Sequence, residues 1–300
     1  MHDTPYFIRL ILRRKKLYKH GLCVSSLLFV ATSVLVIPSS FGWVPSDWNT
    51  PISMWASLFA SVIAGFLVVT FVDAISLERD LGPIKKAWPM VDNLTNHPQR
   101  SLKITVAALP VAQGGGGQKA PGSGEAMALS GSVRVLAELG VLKSQIKLSY
   151  AQENGERDWE DFLANQSDRL ILGGPVYCKV TNNFLNQLGP LSFREVNNGW
   201  RIFHKSDDIT TDAIENQVDY GLIAWHRHSF DGGSVWWILL AGLGTHGVIA
   251  AGEVATSRRY AEQILESVKG DFSNVAVLVR CSCVNEFIVD SLEVTKVVKF

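Results

Sequence analysis

Apolar and polar positions divide this 300-residue chain into two unlike parts. Between His20 and Asp73 the only charged residue is Asp47. Two apolar runs fill that region, GLCVSSLLFVATSVLVIP at 21–38 and ISMWASLFASVIAGFLVVTFV at 52–72. Neither shows the polar face of a soluble amphipathic helix, and each is long enough to cross a hydrocarbon core of about 30 Å. Between them lies SSFGWVPSDWNT, and Trp43, Trp48 and Trp55 suit a membrane–water interface. The pattern predicts a transmembrane helical hairpin over 21–72. No A-x-A-like cleavage site follows the first run, which argues against a signal peptide.

After residue 100 the pattern changes to short β-rich runs alternating with helical spacing. SLKITVAAL reads as a strand, PVAQGGGGQKAPGSG as a glycine-rich loop, and EAMALSGSVRVLAELG as a helix stopped by Gly140. IKLSY is the next strand, ERDWEDFLANQ a short helix, DRLILGGP a strand ending in a glycine turn, and VTNNFLNQLG a helix. SFREV and WRIFHK flank an Asn-Asn-Gly turn, a hairpin signal. DYGLIAWHRHSF at 219–230 reads as a strand that turns at Asp231-Gly232-Gly233.

The following stretch, GGSVWWILLAGLGTHGVIAAGEVATSRR, carries no Asp, Glu, Lys or Arg until Glu253. Its first half has strand composition, three glycines cluster at its middle, and helical spacing follows up to Gly270. A continuous apolar run of this kind fits a strand covered on both faces of a sheet. The reading is a buried strand, turn and helix, followed by the strands VAVLVRCSC and NEFIVDSLEVTKVVKF, and not a third span. The expected fold is α/β: a two-helix transmembrane hairpin followed by a Rossmann-like, mostly parallel mixed-sheet domain with an antiparallel insertion. The expected divisions are a basic N-terminus 1–20, the hairpin 21–72, a linker 73–100 broken by three prolines, and the α/β domain 101–300.

Charge sets the expected orientation. Arg9, Arg13, Arg14, Lys15, Lys16 and Lys19 precede the first span, the connecting loop has no Lys or Arg, and Arg79, Lys85 and Lys86 follow the second. The positive-inside rule places both termini in the cytoplasm of a multi-pass protein of the cell (inner) membrane. Four cysteines, Cys23, Cys178, Cys281 and Cys283, form no disulfide framework, and a reducing compartment would keep the last three as thiols. Net charge is zero and no basic patch is interleaved with aromatics, so nucleic acid is not an indicated partner.

The candidate chemistry lies where three predicted strands run into glycine and then into a helix. Leu109 leads to Gly114–Gly117, Leu172 to Gly173-Gly174-Pro175, and Ala241 to Gly242-Leu243-Gly244-Thr245. In open α/β sheets the crevice past the strand carboxyl ends takes the ligand, and helix N-termini present amides to anions. Gly114, Gly115, Gly173, Gly174, Gly242, Gly244 and Thr245 are therefore the candidate binding residues for a nucleotide-like ligand. Short strand-to-helix turns use glycine for geometric reasons as well. Thr245 and Ser123 are candidate helix caps, and Glu125 and Asp219 are the acids nearest the predicted crevice. No cofactor, metal or catalytic residue is assigned. His226 and His228 with Cys281 and Cys283 would make a Cys2His2 zinc site only if the fold brought the pairs together, and Cys178, near a helix start, would be reactive only with a lowered pKa.

Two resemblances bear on function. AGLGTHGVIAAGE partly resembles the PGGxGTxxE motif of lysine-decarboxylase-like phosphoribohydrolases, which act on nucleotides. Gly244 and Thr245 match its Gly-Thr, but its glutamate would fall at Val248, and Glu253 lies more than a turn further on. The departure argues against that activity and leaves nucleotide binding open. The layout of basic N-terminus, membrane hairpin and cytoplasmic α/β domain resembles bacterial two-transmembrane effectors of anti-phage defence, of the retron- or cyclic-nucleotide-associated kind. That resemblance implies a domain that senses a nucleotide or a partner protein and acts through the inner membrane. It also implies a homo-oligomer through the spans, where Ser57, Ser61 and Gly65, and Ala56, Ala60 and Ala64, recur at helical spacing. A membrane-tethered nucleotide hydrolase or transferase, and a protein-binding scaffold, are the alternatives. No Ser-His-Asp or paired-carboxylate constellation stands out, and the resemblance in layout makes an effector the expectation over an enzyme.

Overall fold

The computed structural model describes residues 79–110, 119–151, 166–175, 178–189, 191–197, 199–210, 218–285 and 288–300, with scattered positions between 27 and 76. The chain forms two compact units, Met1–Gly82 and Pro83–Phe300. In the first, Leu27, Val30, Val34, Met54, Leu58 and Val68 are helical and 52–66% exposed. Most of the spans predicted at 21–38 and 52–72 lie outside the described residues. Among the described residues no helix is long and apolar enough to cross a membrane.

The second unit is a mixed α/β domain. In chain order it contains α1 (Met90–Asn96), β1 (Leu102–Val106), β2 (Ala108–Pro110), β3 (Lys119–Pro121), α2 (Ser123–Glu138), β4 (Ile146–Tyr150), β5 (Asp168–Leu172) and α3 (Lys179–Leu188). There follow β6 (Leu191–Val196), β7 (Gly199–His204), β8 (Asp207–Asp208), β9 (Val218–Phe230), β10 (Gly233–Gly242), α4 (Thr245–Thr256), α5 (Arg258–Val268), β11 (Val275–Asn285) and β12 (Ile288–Lys299). The large sheet has seven strands in the order β12-β11-β9-β10-β5-β1-β4. Strands β10, β5, β1 and β4 run parallel, whereas β9, β11 and β12 extend the sheet antiparallel. The sheet is therefore more evenly mixed than the sequence suggests, because the hairpin turn at Asp231-Gly232 joins β9 and β10 directly inside it. The insertion is reduced to the small β6-β7-β8 sheet.

Gly232–Arg259 is a strand, a turn and a helix, as its texture indicates. Val235 and Trp237 to Ala241 are almost wholly buried in β10. The helix expected to run unbroken to Gly270 is instead interrupted at Ser257, where the backbone is extended at φ −94 and ψ 131. The break separates a mostly buried α4 from an amphipathic α5 that buries only Ala261, Ile264 and Val268.

Both faces of the sheet are covered. On one, Phe184 and Leu185 of α3 pack with Ile171, Leu222, Trp237 and Leu239. On the other, Gly221 lies directly under Gly247 and Ala251 of α4. Helix α2 packs on α4 through small residues. A Cβ on Gly252 would lie 2.9 Å from Ala128, and one on Gly124 would lie 2.7 Å from the Thr245 carbonyl oxygen. Gly131 faces Thr256. These pairings advance in the same direction along both helices, so α2 and α4 run parallel and start side by side.

Residues 83–100, which the sequence presents as linker, enter the core of this unit. Met90, Val91 and Leu94 have no exposed surface. Trp88 Nε1 donates to the Ala255 carbonyl at 2.7 Å, and Trp225 Nε1 to the Ala87 carbonyl at 2.8 Å. The apolar residues here are spaced among Lys85, Lys86 and Asp92, so mean polarity conceals them. Pro89 does not break the order: it stands at the N-cap of α1 with φ −62, which proline prefers.

Gly252→Val should destabilise the domain by about 1–3 kcal/mol or more, because the α2–α4 contact has no room for a side chain. Glu253→Ala, on the exposed side of the same helix, should stay within about 0.5 kcal/mol. Urea unfolding followed by tryptophan fluorescence measures both.

Candidate functional site

Strands β1, β5 and β10 end together, with Val106 beside Leu172 and Leu172 beside Leu240. From β1 the chain passes through α2 to β4, on one side of β1. It then returns to β5 on the other side and leaves through α3. Since α2 and α3 lie on opposite faces, the sheet has a topological switch point at β1 and β5, where α/β folds place their ligands. A crevice of about 190 Å³ opens there. Its walls include Ala107 past β1, Gly174 past β5, Gly242, Gly244 and Thr245 past β10, and Ser123 and Glu125 at the start of α2.

The structure thus gathers most of the candidate binding residues at one place. Gly174, Gly242, Gly244 and Thr245 line the crevice, and a Cβ on Gly173 would fall 3.2 Å from Glu125 Oε1. Gly114 and Gly115 lie outside the described residues, as does most of the short helix expected at 156–166. The glycines also have a packing reason. A Cβ on Gly242 would lie 2.3 Å from the Val248 amide nitrogen, and one on Gly174 would lie 2.6 Å from the Gly242 carbonyl oxygen. Gly173 needs its φ of 125°, a conformation that side chains disfavour.

The expected caps are placed differently. Gly122 and Gly244 are the N-caps of α2 and α4, so Ser123 and Thr245 are the first helical residues and not the caps. The carboxylate at the start of α4 comes from β9. Asp219 Oδ2 accepts from the Gly247 amide at 2.7 Å, while Oδ1 accepts from the Tyr220 amide at 2.7 Å and the Gly244 amide at 3.1 Å. Burial pushes this carboxyl above its ordinary range, against the opposing pull of these three amides and of His246. Asp219 occupies two amides at the start of α4, so the α4 terminus is not a bare anion site. Sequence spacing could not reveal this contact, which joins residues 25 and 28 apart.

Glu125 is the crevice acid. Burial raises its carboxyl, and its own backbone amide opposes the rise. Among the described residues lining the crevice there is no Lys or Arg. The lining therefore offers a carboxyl of raised proton affinity, the Ser123 and Thr245 hydroxyls, and backbone groups. Val248 lines the same wall, where the phosphoribohydrolase motif would carry glutamate, while Glu253 is exposed and outside the lining.

The histidine and cysteine pairs do not meet. Cys281 pairs with Asp219, whereas Trp225, next to His226, pairs with Val275. Six residues of strand, about 20 Å, therefore separate Cys281 from His226. His226 Nδ1 is 2.7 Å from Asn274 Oδ1, and His228 stacks on Trp237 at 4.2 Å. Among the described residues no group of three or more His, Cys, Asp or Glu could hold a metal. Cys178 is fully buried among Phe184 and its neighbours.

In comparison with known proteins, the chain matches no protein-family model and no curated protein.

Asp219→Ala should cost about 3 kcal/mol or more, because it strips the acceptor from three amides around a tight turn; the urea midpoint reads it. Glu125 and Asp219 both hold their protons more tightly folded than unfolded. Stability should therefore decline as pH rises from the ordinary carboxylate range through their raised values, and recover on acidification within that window. Glu125→Gln should flatten part of that slope in unfolding measured across pH.

Proposed function

We propose that this protein is a membrane-anchored effector whose Rossmann-like domain senses a nucleotide-like ligand in the crevice at β1, β5 and β10 and acts through the bacterial inner membrane in anti-phage defence. The observation that carries the reading is the crevice itself, sited at the switch point of parallel strands and walled by the start of α2, the start of α4 and two glycine turns. Ribose-type hydroxyls of the ligand donate to Glu125. Its anionic part lies toward the start of α2, because Asp219 already holds amides at the start of α4.

The anchor is supported by the sequence of 21–72 and by the exposed apolar residues at its described helical positions. Leu27, Val30 and Val34 would be costly facing water and are at ease facing lipid. Ser57, Ala60, Ser61, Ala64 and Gly65 are helical and mostly exposed, which leaves a small-residue surface for a second copy. Both termini are cytoplasmic in this reading.

One observation favours an enzymatic alternative, a tethered nucleotide hydrolase or transferase. Glu125 is a partly buried acid of raised proton affinity in a cleft, which suits proton transfer.

Thermal unfolding of the full chain, extracted from membranes in detergent, against a panel of nucleotides and cyclic dinucleotides tests the reading. A ligand at 100 times its dissociation constant should add about 2.7 kcal/mol, and Glu125→Gln should weaken it about tenfold or more. No shift with any nucleotide in a folded sample would overturn the ligand, and recovery of the chain in the soluble fraction would overturn the anchor. Turnover of a bound nucleotide, lost in Glu125→Gln and retained without residues 1–75, would establish the enzymatic alternative instead.

A further inference from the structure

At the opposite end of the sheet, where β1 and β5 begin, lies a second cavity of about 200 Å³. Gln99 and Arg100 approach it before β1, Gln166 and Ser167 before β5, and Asp168 opens β5. Val235 is the one apolar residue among the described residues that line it, and none of those is aromatic. Asp168 is 1% exposed. Its Oδ1 accepts from the Trp236 amide at 2.8 Å and from Asn93 Nδ2 at 3.4 Å. Its Oδ2 is buried with no hydrogen-bond partner, and the Ser167 hydroxyl beside it is likewise buried and unpartnered.

Orphaned buried polar atoms are rare, and a carboxylate oxygen is among the most costly. A single bridging water occupies about 30 Å³, so this cavity has space for a larger polar guest. A guest there would donate hydrogen bonds to Asp168 and Ser167, and Arg100, a partly exposed cation lining the same cavity, would attract an anionic group. Among the described residues, the lining offers a nucleobase no aromatic face to rest on. We propose that this cavity binds a small zwitterion of the α-amino-acid class, its ammonium on Asp168 Oδ2 and Ser167 Oγ and its carboxylate toward Arg100. Burial raises the Asp168 carboxyl while Trp236, Asn93 and Arg100 oppose the rise, and an ammonium would add to that opposition.

The test is calorimetric titration and thermal unfolding of the full chain in detergent with individual amino acids. Methylammonium and acetate, each carrying one half of the zwitterion, are tested at equal concentration. At least one amino acid should bind and raise the melting temperature, the halves should not, and Asp168→Asn should abolish the effect. Ser167→Ala and Arg100→Gln should each weaken binding about tenfold, and Glu125→Gln, in the other cavity, should leave it unchanged. Absence of any shift, an equal shift in Asp168→Asn, or an equal effect of methylammonium alone would overturn the proposal. Should Asp168→Asn fail to fold, unchanged affinity in Arg100→Gln would overturn it equally, since Arg100 is partly exposed and lies outside the strands.

Discussion

The carboxylate of Asp219 is the contact on which the crevice depends. It reaches from β9 into the turn between β10 and α4 and accepts from the amides of Gly244 and Gly247. Those amides would otherwise be among the unsatisfied donors at a helix start. The arrangement is feasible only because Gly221, Gly242 and Gly247 let three backbone segments approach more closely than any side chain allows. With α4 fixed in this way, α2 is positioned beside it through Gly124 and Gly252. The crevice is the space left between the two helix starts and the strand ends. Its shape therefore follows from backbone packing, and its one carboxyl among the described lining residues, Glu125, stands on the helix that Asp219 does not touch.

Asp168 plays a parallel role at the other end of the sheet. Its Oδ1 fastens the start of β10 to α1, through Trp236 and Asn93. Gln145 completes that corner, its side chain donating to the Leu94, His97 and Arg100 carbonyls. The two acids differ in one respect. Asp219 uses both oxygens on backbone amides, whereas Asp168, which lines the second cavity, uses one on Trp236 and Asn93 and leaves the other buried without a partner. An acid with both oxygens engaged is accounted for by the fold, and an acid with one orphaned oxygen is not. That difference separates the two sites as objects for experiment.

Much of the domain was legible in the chain. Strand and helix textures located β1, β5, β9, β10, α2 and α3, and strand–glycine–helix junctions gave two of the crevice's walls. What was hidden depended on contacts between residues distant in sequence. The linker reading of 73–100 failed for residues 83–100 because Trp88, Met90, Val91 and Leu94 are diluted by polar neighbours, and their burial comes from α4 and β9. The cap expected at Thr245 is a local rule overridden by Asp219, which no local rule could bring in, and at α2 the N-cap falls on Gly122, one residue before Ser123. The break at Ser257 carries neither Gly nor Pro, the usual marks of a helix end. The second cavity left no trace in sequence, since Arg100, Ser167 and Asp168 are unremarkable polar residues until the sheet aligns the starts of β1 and β5.

The fold also bears on how a ligand in the crevice could act at a distance. Helix α4 begins at the crevice, where Asp219 holds Gly247, and its last turn accepts a hydrogen bond from Trp88 through the Ala255 carbonyl. Its 12 residues span about 18 Å. Trp88 lies in the segment that connects, in sequence, the predicted spans to the domain. A rigid helix bonded at both ends is a short mechanical path, but a path transmits a signal only if a ligand favours one arrangement over another. In this domain the crevice meets α4 at its start. On the proposed reading, a ligand contacting Glu125 and Thr245 would press on the turn where Asp219 accepts from the Gly244 and Gly247 amides. A displacement of that turn would be passed along α4 to Trp88 and the residues packed with it. The alternative, a hinge within 83–96, is opposed by the complete burial of Met90, Val91 and Leu94, because a segment packed at that density moves with the helix it packs on and does not bend independently.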